Sequence, residues 1–371
     1  MDLLSALPDE IQTEVFRCLD LQGLLTATQV CRLWNHIIGK SKLCMEKITL
    51  ICTPININFE FNSIMHSNRD YRRIKIYFKP NYQKEKDSTI RAVLRKFSKS
   101  ITFVETTNDL LRICDLPKLK ELRIVDHLYK TRRYSYLLCA HGLVANLTSI
   151  TKLSVQSIYM DDKSSRILDK ALKQMNNLKS LSVNHINFLK HFKAGNYKFK
   201  LEDFTYFEYR YPVPPMGPLF EFLLSNKSSL KNIRCDPSTF DDASFFLSNF
   251  PNLKTLYFHG LTVMSTNHDT DLIMNFPVNR SIKRLFVGLY YFKNHTKDNF
   301  ISMLPSLKNL QELKICVLFP ELIPAIFACP TLKLVRYHYL SDKLSETERN
   351  MIESNTTINF VKAQYLARYL H

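Results

Sequence analysis

The stretch Leu119-Lys120-Glu121-Leu122-Arg123-Ile124 decides the fold, because the same six-residue pattern returns along most of the chain. Three more clear copies are Leu178 to Val183, Leu253 to Phe258 and Leu310 to Ile315. The apolar residues at the end of each copy alternate with polar ones, which indicates a short strand with one buried side. A single copy would fit a strand in any fold, so the information lies in the repetition.

The copies recur at a bounded spacing of 21 to 31 residues, measured at the second apolar position of each hexad. Thirteen residues occupy that position: Ile48, Ile74, Ile101, Leu122, Leu153, Leu181, Phe204, Ile233, Leu256, Leu285, Leu313, Val335 and Ile358. This spacing lies around the leucine-rich-repeat period of about 20–29 residues. The pattern predicts an α/β leucine-rich-repeat solenoid over residues 44–371, with about 12–13 diverged repeats, a curved parallel sheet and helices on its convex face. The first three copies are weak, and an irregular adaptor there stays open.

The segments between the hexads carry helical periodicity, as the outer side of such a repeat requires. Helices are predicted over Lys163 to Met175, Asp242 to Phe250, Pro324 to Cys329 and Ser345 to Ile352. Ser345, with Glu348 three residues later, matches a capping box at the start of the last one.

Residues 7 to 38 lack the hexad and form a different pattern. Ile11, Val15, Phe16 and Leu19 recur at helical spacing, and Gly23 lies in a break before further helical segments. Two or three short helices are therefore expected. So small a unit buries its apolar faces poorly, and it must either pack on the first repeats or present a surface to a partner.

The opening Leu7-Pro8-x-Glu10, Phe16 and Leu19 in the first helix, and Val30-Cys31-x-x-Trp34 together resemble an F-box. An F-box before leucine-rich repeats is similar to the F-box and leucine-rich-repeat family, the substrate receptors of Skp–cullin–F-box ubiquitin ligases. The resemblance implies a small all-α F-box over residues 1–43 that binds a Skp-family adaptor, and through it cullin, while the repeats hold a target for ubiquitination.

The same resemblance assigns roles to individual residues. It implies that eight residues form the Skp-facing surface or hold its helices together: Leu7, Pro8, Ile11, Leu24, Leu25, Val30, Cys31 and Trp34. Val15, Phe16 and Leu19 are expected inside the F-box.

In a curved repeat sheet, the residues between the buried strand positions face the concave side. The predicted target-binding residues are Arg123, Lys152, Arg234, Tyr257, His259, Arg284, Phe286, Lys314 and Arg336. Because this face is basic on balance, it suits an acidic or phosphorylated segment, with which Arg pairs bidentately. The alternative, that these charges only keep the strands solvated, stays open.

The composition excludes several classes of protein. With 7 Gly and no GxGxxG or P-loop pattern, a nucleotide site is excluded, and nine Cys without a CxxC pair show neither a zinc ligand set nor a disulfide framework. No Cys lies in a catalytic motif, so we expect a non-catalytic adaptor without cofactor or metal.

The net charge of +17 permits an acidic partner, a nucleic acid or an anionic surface. The sequence has no signal peptide and no apolar stretch of about 18 residues, so a cytoplasmic or nuclear protein without membrane contact is expected. A non-degradative leucine-rich-repeat scaffold and an RNA-binding repeat protein stay open as alternatives, although no RNA-binding module signature is present.

Overall fold

The computed structural model describes residues 6–77, 83–106, 115–125, 147–156, 162–184, 189, 195–206, 217–235, 240–258, 275–288 and 294–363. The chain divides into two units: unit 1 is Met1–Ser182 with Asn187–Phe199, and unit 2 is Val183–Ile186 with Lys200–His371.

Helices and strands alternate after a purely helical start. The helices are α1 (Asp9–Cys18), α2 (Leu21–Val30), α3 (Arg32–Lys40), α4 (Lys42–Met45), α5 (Pro54–His66), α6 (Gln83–Phe97), α7 (Asp162–Leu172), α8 (Gly217–Leu224), α9 (Phe240–Asn249), α10 (Asn294–Met303), α11 (Leu322–Phe327) and α12 (Glu346–Glu353). The strands are β1 (Thr49–Cys52), β2 (Arg73–Ile76), β3 (Phe103–Thr106), β4 (Glu121–Val125), β5 (Lys152–Gln156), β6 (Ser180–Val183), β7 (Asp203–Tyr206), β8 (Asn232–Cys235), β9 (Thr255–Phe258), β10 (Arg284–Val287), β11 (Glu312–Leu318), β12 (Leu334–Leu340) and β13 (Asn359–Lys362).

Helices α1 to α4 share one apolar core within unit 1. Its buried members are Phe16, Leu24, Ala27, Ile37, Ile38, Cys44, Met45 and Ile48. Helices α2 and α4 start at side-chain caps, since Asp20 Oδ1 accepts the Gly23 N–H at 2.7 Å before α2 and Ser41 Oγ accepts the Cys44 N–H at 3.3 Å before α4. The core extends through α4 to the residue just before β1.

The helical region also packs on the start of the repeats. The Asp70 N–H donates to the Gly39 carbonyl at 3.1 Å, and Arg69 Nη2 donates to Asn35 Oδ1 at 2.8 Å. A Cβ on Gly39 would lie 3.1 Å from Arg69 Cγ, so the close approach favours glycine. Packing on the first repeats, one of the two expected outcomes for so small a unit, is therefore realised.

The strands of each unit pair in parallel and in chain order. In unit 1 the equivalent residues across β1 to β5 are Leu50, Ile74, Val104, Leu122 and Leu153. In unit 2 the equivalent residues across β7 to β13 are Phe204, Ile233, Leu256, Leu285, Leu313, Val335 and Phe360. Short parallel strands in chain order, joined by helical segments, confirm the predicted fold class, a leucine-rich-repeat solenoid after a small helical domain. The first strands are regular, which excludes an irregular adaptor there.

Three reference positions of the sequence analysis are wrong. The residues in register are Leu50 rather than Ile48, Val104 rather than Ile101, and Phe360 rather than Ile358. The reason is that the turn before each strand also buries an apolar residue, and Ile48, Ile101 and Ile358 occupy that turn with at most 5% exposure. In a weak copy the hydrophobic pattern alone does not separate the turn residue from the strand residue.

The four predicted outer helices are confirmed as α7, α9, α11 and α12, with ends shifted by a few residues. The capping box is also present, because Ser345 Oγ accepts the Glu348 N–H at 3.2 Å and Glu348 Oε2 accepts the Ser345 N–H at 2.8 Å.

Asparagine side chains join successive turns of the repeat. Asn252 Nδ2 donates to the Ser228 carbonyl at 2.8 Å and Asn309 Nδ2 donates to the Arg280 carbonyl at 2.6 Å, both from the position just before the hexad. Asn279 goes further, because it is buried: its Nδ2 donates to the Leu247 carbonyl at 2.8 Å and its Oδ1 accepts two backbone N–H groups.

We predict that Asn279→Ala destabilises unit 2 by about 1–3 kcal/mol, because it leaves buried backbone groups without partners. Asn309→Ala is the matched control. Its bond is exposed, so a cost below about 1 kcal/mol is expected. Urea unfolding of both variants measures the difference, and equal midpoints would contradict the role given to Asn279.

Candidate functional site

Helix α1 carries exposed apolar residues beside the face that packs on the core. Ile11 and Val15, one turn apart on α1, are 50% and 40% exposed, and Leu7, two residues before the helix, is 39% exposed. The inward side holds Gln12 and Phe16, which are both buried. Exposed apolar residues on one helix face suit a protein contact better than water.

The exposed apolar side chains are concentrated at the start of the chain. Of the twelve large exposed hydrophobic residues in the described part of the chain, seven lie between residues 7 and 43: Leu7, Ile11, Val15, Leu21, Val30, Leu33 and Leu43. That segment is about a seventh of the described residues, so the enrichment exceeds the scattered exposure normal for a protein surface. We call these seven residues the helical apolar surface.

The structure separates the eight predicted Skp-facing residues into two groups. Leu7, Pro8, Ile11, Val30 and Cys31 are exposed, and Leu25 is half-buried, so these side chains are accessible to a partner. Leu24 is fully buried in the helical core, and half-buried Trp34 packs edge-on against Phe16 with ring centroids 5.3 Å apart. Leu24 and Trp34 therefore hold the helices together.

Of the three residues predicted to be internal, Phe16 is buried and Leu19 packs partly against the core, but the prediction for Val15 is wrong. One helix face can pack on the core, and Gln12 occupies the place beside Phe16. Its Nε2 donates to the Leu7 carbonyl at 2.7 Å, which fixes the residues just before α1. Val15 is left on the outer side.

A lysine secures the other end of α1. Lys47 Nζ donates to the carbonyl oxygens of Arg17 and Leu19, each at 2.7 Å. A cation at a helix C-terminus satisfies carbonyls that have no partner within the helix and complements the helix dipole. Both ends of the helix that carries Ile11 and Val15 are thus held in place.

The exposed sheet face of unit 1 is organised around a buried carboxylate. Glu105 Oε2 lies 3.3 Å from both Lys75 Nζ and Arg123 Nη1, and the Tyr77 hydroxyl donates to Glu105 Oε1. Burial and the bond to Glu105 raise the pKa of Tyr77. Arg123 also reaches Glu121 at 3.7 Å.

Arg123, predicted to bind a target, is therefore occupied by acids of its own sheet. Sequence reasoning missed Glu105 because the strand that contains it, β3, was placed three residues too early, at Ile101 instead of Val104. The correct register puts Glu105 beside Lys75 and Arg123, in one row across β2, β3 and β4.

The exposed sheet face of unit 2 has a different composition. Its middle row, one residue from each of β8 to β12, consists of Arg234, Tyr257, Phe286, Lys314 and Arg336. The Arg234 guanidinium carbon lies 5.7 Å from the centroid of the Tyr257 ring, and the Tyr257 and Phe286 rings lie 5.8 Å apart. Arg336 Nε donates to Glu312 Oε1 at 2.9 Å. We call these five residues the basic–aromatic row.

The remaining predicted target-binding residues are distributed around these rows. Lys152 is exposed on β5, and Arg284 is exposed on β10 in the row next to the basic–aromatic row. His259 lies outside the described residues. The structure thus places Arg234, Tyr257, Phe286, Lys314 and Arg336 together, and it places Arg123 and Lys152 in unit 1.

The chemistry of the described thiols argues against nucleophilic roles for two of them. Burial raises the pKa of the Cys52 thiol to about 12 and also raises the pKa of the Cys329 thiol. A reactive cysteine needs a lowered pKa. Within the described ranges no group of three or more His, Cys, Asp or Glu could hold a metal ion, and none of the helices described is long and apolar enough to cross a membrane.

Residues 4–45 match the F-box-like family model, so the helices α1 to α4 form an F-box-like domain and the predicted resemblance is confirmed there. The domain boundary at residue 43 stays a prediction. Among solved structures, the chain is similar to an internalin from Listeria monocytogenes, with 14% sequence identity and a TM-score of 0.39 over 92% of this chain and 94% of that chain. So low a TM-score carries no argument, and the repeat fold rests on the strand register. No curated protein shows significant similarity to the chain.

We predict that Glu105→Gln destabilises unit 1 by about 1–3 kcal/mol, since it leaves Lys75 and Arg123 without their buried countercharge. Glu312→Gln is the control: its more exposed pair with Arg336 is expected to contribute less than about 1 kcal/mol. Urea unfolding checks both variants. Trp34, the single Trp, reports on unit 1, and an unshifted Trp34 transition in Glu105→Gln would contradict the prediction.

Proposed function

We propose that this chain is the substrate-recognition subunit of a Skp–cullin–F-box ubiquitin ligase. The helical apolar surface binds a Skp-family adaptor, and through it cullin, while the repeats bind the target protein. The observation that carries the proposal is the concentration of exposed apolar residues within the segment that matches the F-box-like model. Such residues lose water-exposed apolar area when a partner covers them.

In this role the chain performs no chemistry itself. It raises the effective concentration of target lysines near a ubiquitin-charged conjugating enzyme, so catalysis comes from positioning. The raised pKa values of Cys52 and Cys329 support an adaptor that does not carry ubiquitin covalently on these thiols. A place in the cytoplasm or nucleus, where such ligases meet their targets, belongs to the same proposal.

The test substitutes exposed residues of the helical apolar surface, because these leave the core intact. Ile11 and Val30 are preferred to Leu7 because they are more exposed, at 50% and 57% against 39%, and to Pro8 because Pro8 fixes the backbone at the N-cap of α1. We predict that Ile11→Glu with Val30→Glu weakens binding of a Skp-family adaptor by about thirtyfold or more, as expected when a hot spot worth about 2 kcal/mol is lost.

The matched control is Met351→Glu, a residue of α12 with 47% exposure, close to the 50% of Ile11. Co-expression with the adaptor followed by size-exclusion chromatography measures complex formation. The wild type and the control should form a one-to-one complex, which then recruits cullin. A folded wild type that forms no complex would overturn the proposal, and a complex that never recruits cullin would favour a non-degradative scaffold.

Cysteine labelling maps the same contact independently. Cys18 and Cys31 are both exposed in unit 1, and only Cys31 belongs to the predicted Skp-facing residues. We predict that adaptor binding slows alkylation of Cys31 and also of Cys18, because Cys18 follows Val15 by three residues on the exposed face of α1, as measured by mass spectrometry of the separated peptides. Protection of neither thiol within a stable complex would contradict the assigned surface.

A further inference from the structure

The basic–aromatic row of unit 2 combines unpaired cations with a half-buried apolar platform. Tyr257 and Phe286 lie at its centre, with Arg234 on one side and Lys314 on the other. Within the described residues, neither Arg234 nor Lys314 forms an ion pair with an acidic side chain, and the same holds for Arg284 in the next row. Unit 1 differs, because Lys75 and Arg123 share Glu105.

We propose that this row binds an extended acidic segment of the target, in which one apolar or aromatic residue is flanked on both sides by acidic residues. The inference rests on the proposed function for its biological meaning, since it names the class of target that the repeats hold. The binding itself needs no adaptor.

The spacing within the row sets the spacing of the ligand. Neighbouring strands lie about 4.8 Å apart, so Arg234 and Lys314, three strands apart, are separated by about 14 Å at the backbone. The platform of Tyr257 and Phe286 lies midway, about 7 Å from each cation. An extended chain rises about 3.3 Å per residue, so two residues span that distance.

The segment that fits is therefore five residues long, with acidic residues at positions 1 and 5, an apolar residue at position 3 and any residue at positions 2 and 4. Side chains two residues apart in an extended chain point to the same side, so both acids and the central apolar residue face the row together. The guanidinium of Arg234 pairs bidentately with a carboxylate or a phosphate, and Lys314 offers a point charge at the other end.

The adjacent row distinguishes a peptide from a nucleic acid. Across β7 to β11 it contains Asp203, Asn232, Thr255, Arg284 and Glu312, so an acidic residue lies at each end of this row. A phosphate backbone carries a negative charge at every step and would be repelled at Asp203 and Glu312. A peptide with acids at two fixed positions avoids them.

The test measures binding of fluorescent peptides to the full chain by anisotropy. The first probe is Gly-Ser-Glu-Ser-Phe-Ser-Glu-Ser-Gly, and the second, of equal composition, is Gly-Ser-Ser-Glu-Phe-Glu-Ser-Ser-Gly. Adjacent residues of an extended chain face opposite sides, so the second peptide cannot present its acids and its ring to the same face. We expect the first peptide to bind at least about tenfold more tightly. Equal affinities, or no binding of the first peptide, would overturn the proposal.

Variants assign the binding to the row. Arg234→Glu with Lys314→Glu should lose at least about tenfold in affinity for the first peptide and prefer the same peptide with Lys in place of Glu. Lys227→Glu with Lys308→Glu is the control, because it makes the same change in net charge at exposed positions outside the strands. If the control variant lost as much affinity as the row variant, the loss would be an effect of net charge alone, and the inference would be overturned.

Two further arms separate the remaining sources of an anion. A peptide with phosphoserine in place of both Glu residues tells whether carboxylate or phosphate is preferred at the cations. The other arm uses a single-stranded oligouridylate. If it bound the wild type more tightly than either peptide, and the row variant did not bind it, the row would be a nucleic-acid site instead. Adaptor binding by the wild-type chain is measured separately: an adaptor complex without peptide binding would reject the inference alone, whereas peptide binding without any adaptor complex would reject the proposed function alone.

Discussion

The structure depends on the burial of one apolar side chain per strand against its equivalent in the next repeat. Leu256, Leu285 and Leu313 illustrate this: they are in register on β9, β10 and β11, and all are fully buried. No single repeat can remove such residues from water alone, so the repeats must stack. Because strand side chains alternate, the same stacking forces the intervening residues into rows on the opposite face. The register that builds the core thus also builds the basic–aromatic row.

The helical domain uses one helix for two purposes. The inner face of α1 holds Phe16 in the core, and its outer face presents Ile11 and Val15 to solvent. Gln12 and Lys47 fix the two ends of this helix through hydrogen bonds to backbone carbonyls. The helix that carries Ile11 and Val15 is therefore held rigidly. A rigid surface loses little conformational entropy when a partner binds.

Much of this could be predicted from the sequence, because both periodicities are strong. The repeat spacing predicted the parallel strands, and the F-box resemblance was found from a handful of residues around Leu7, Phe16 and Trp34. What could not be predicted depends on contacts between distant residues. Glu105 becomes the centre of a charge cluster only when β3 is placed in the right register. Val15 is exposed while polar Gln12 is buried and donates to the Leu7 carbonyl, which a hydrophobic pattern does not predict. The hydrophobic pattern of a sequence indicates which side of a single helix or strand is buried. The surroundings of Glu105 and Val15 depend instead on the elements that pack against that helix or strand.

The central claim is that one chain carries two separate contacts, the helical apolar surface for the adaptor and the basic–aromatic row for the target. Hydrogen–deuterium exchange of the full chain, alone and with a Skp-family adaptor, tests this most directly. The account predicts slower exchange in α1 to α3 on adaptor binding and unchanged exchange in β8 to β12. Protection of β8 to β12 by the adaptor, or no change in α1 to α3 within a stable complex, would contradict it.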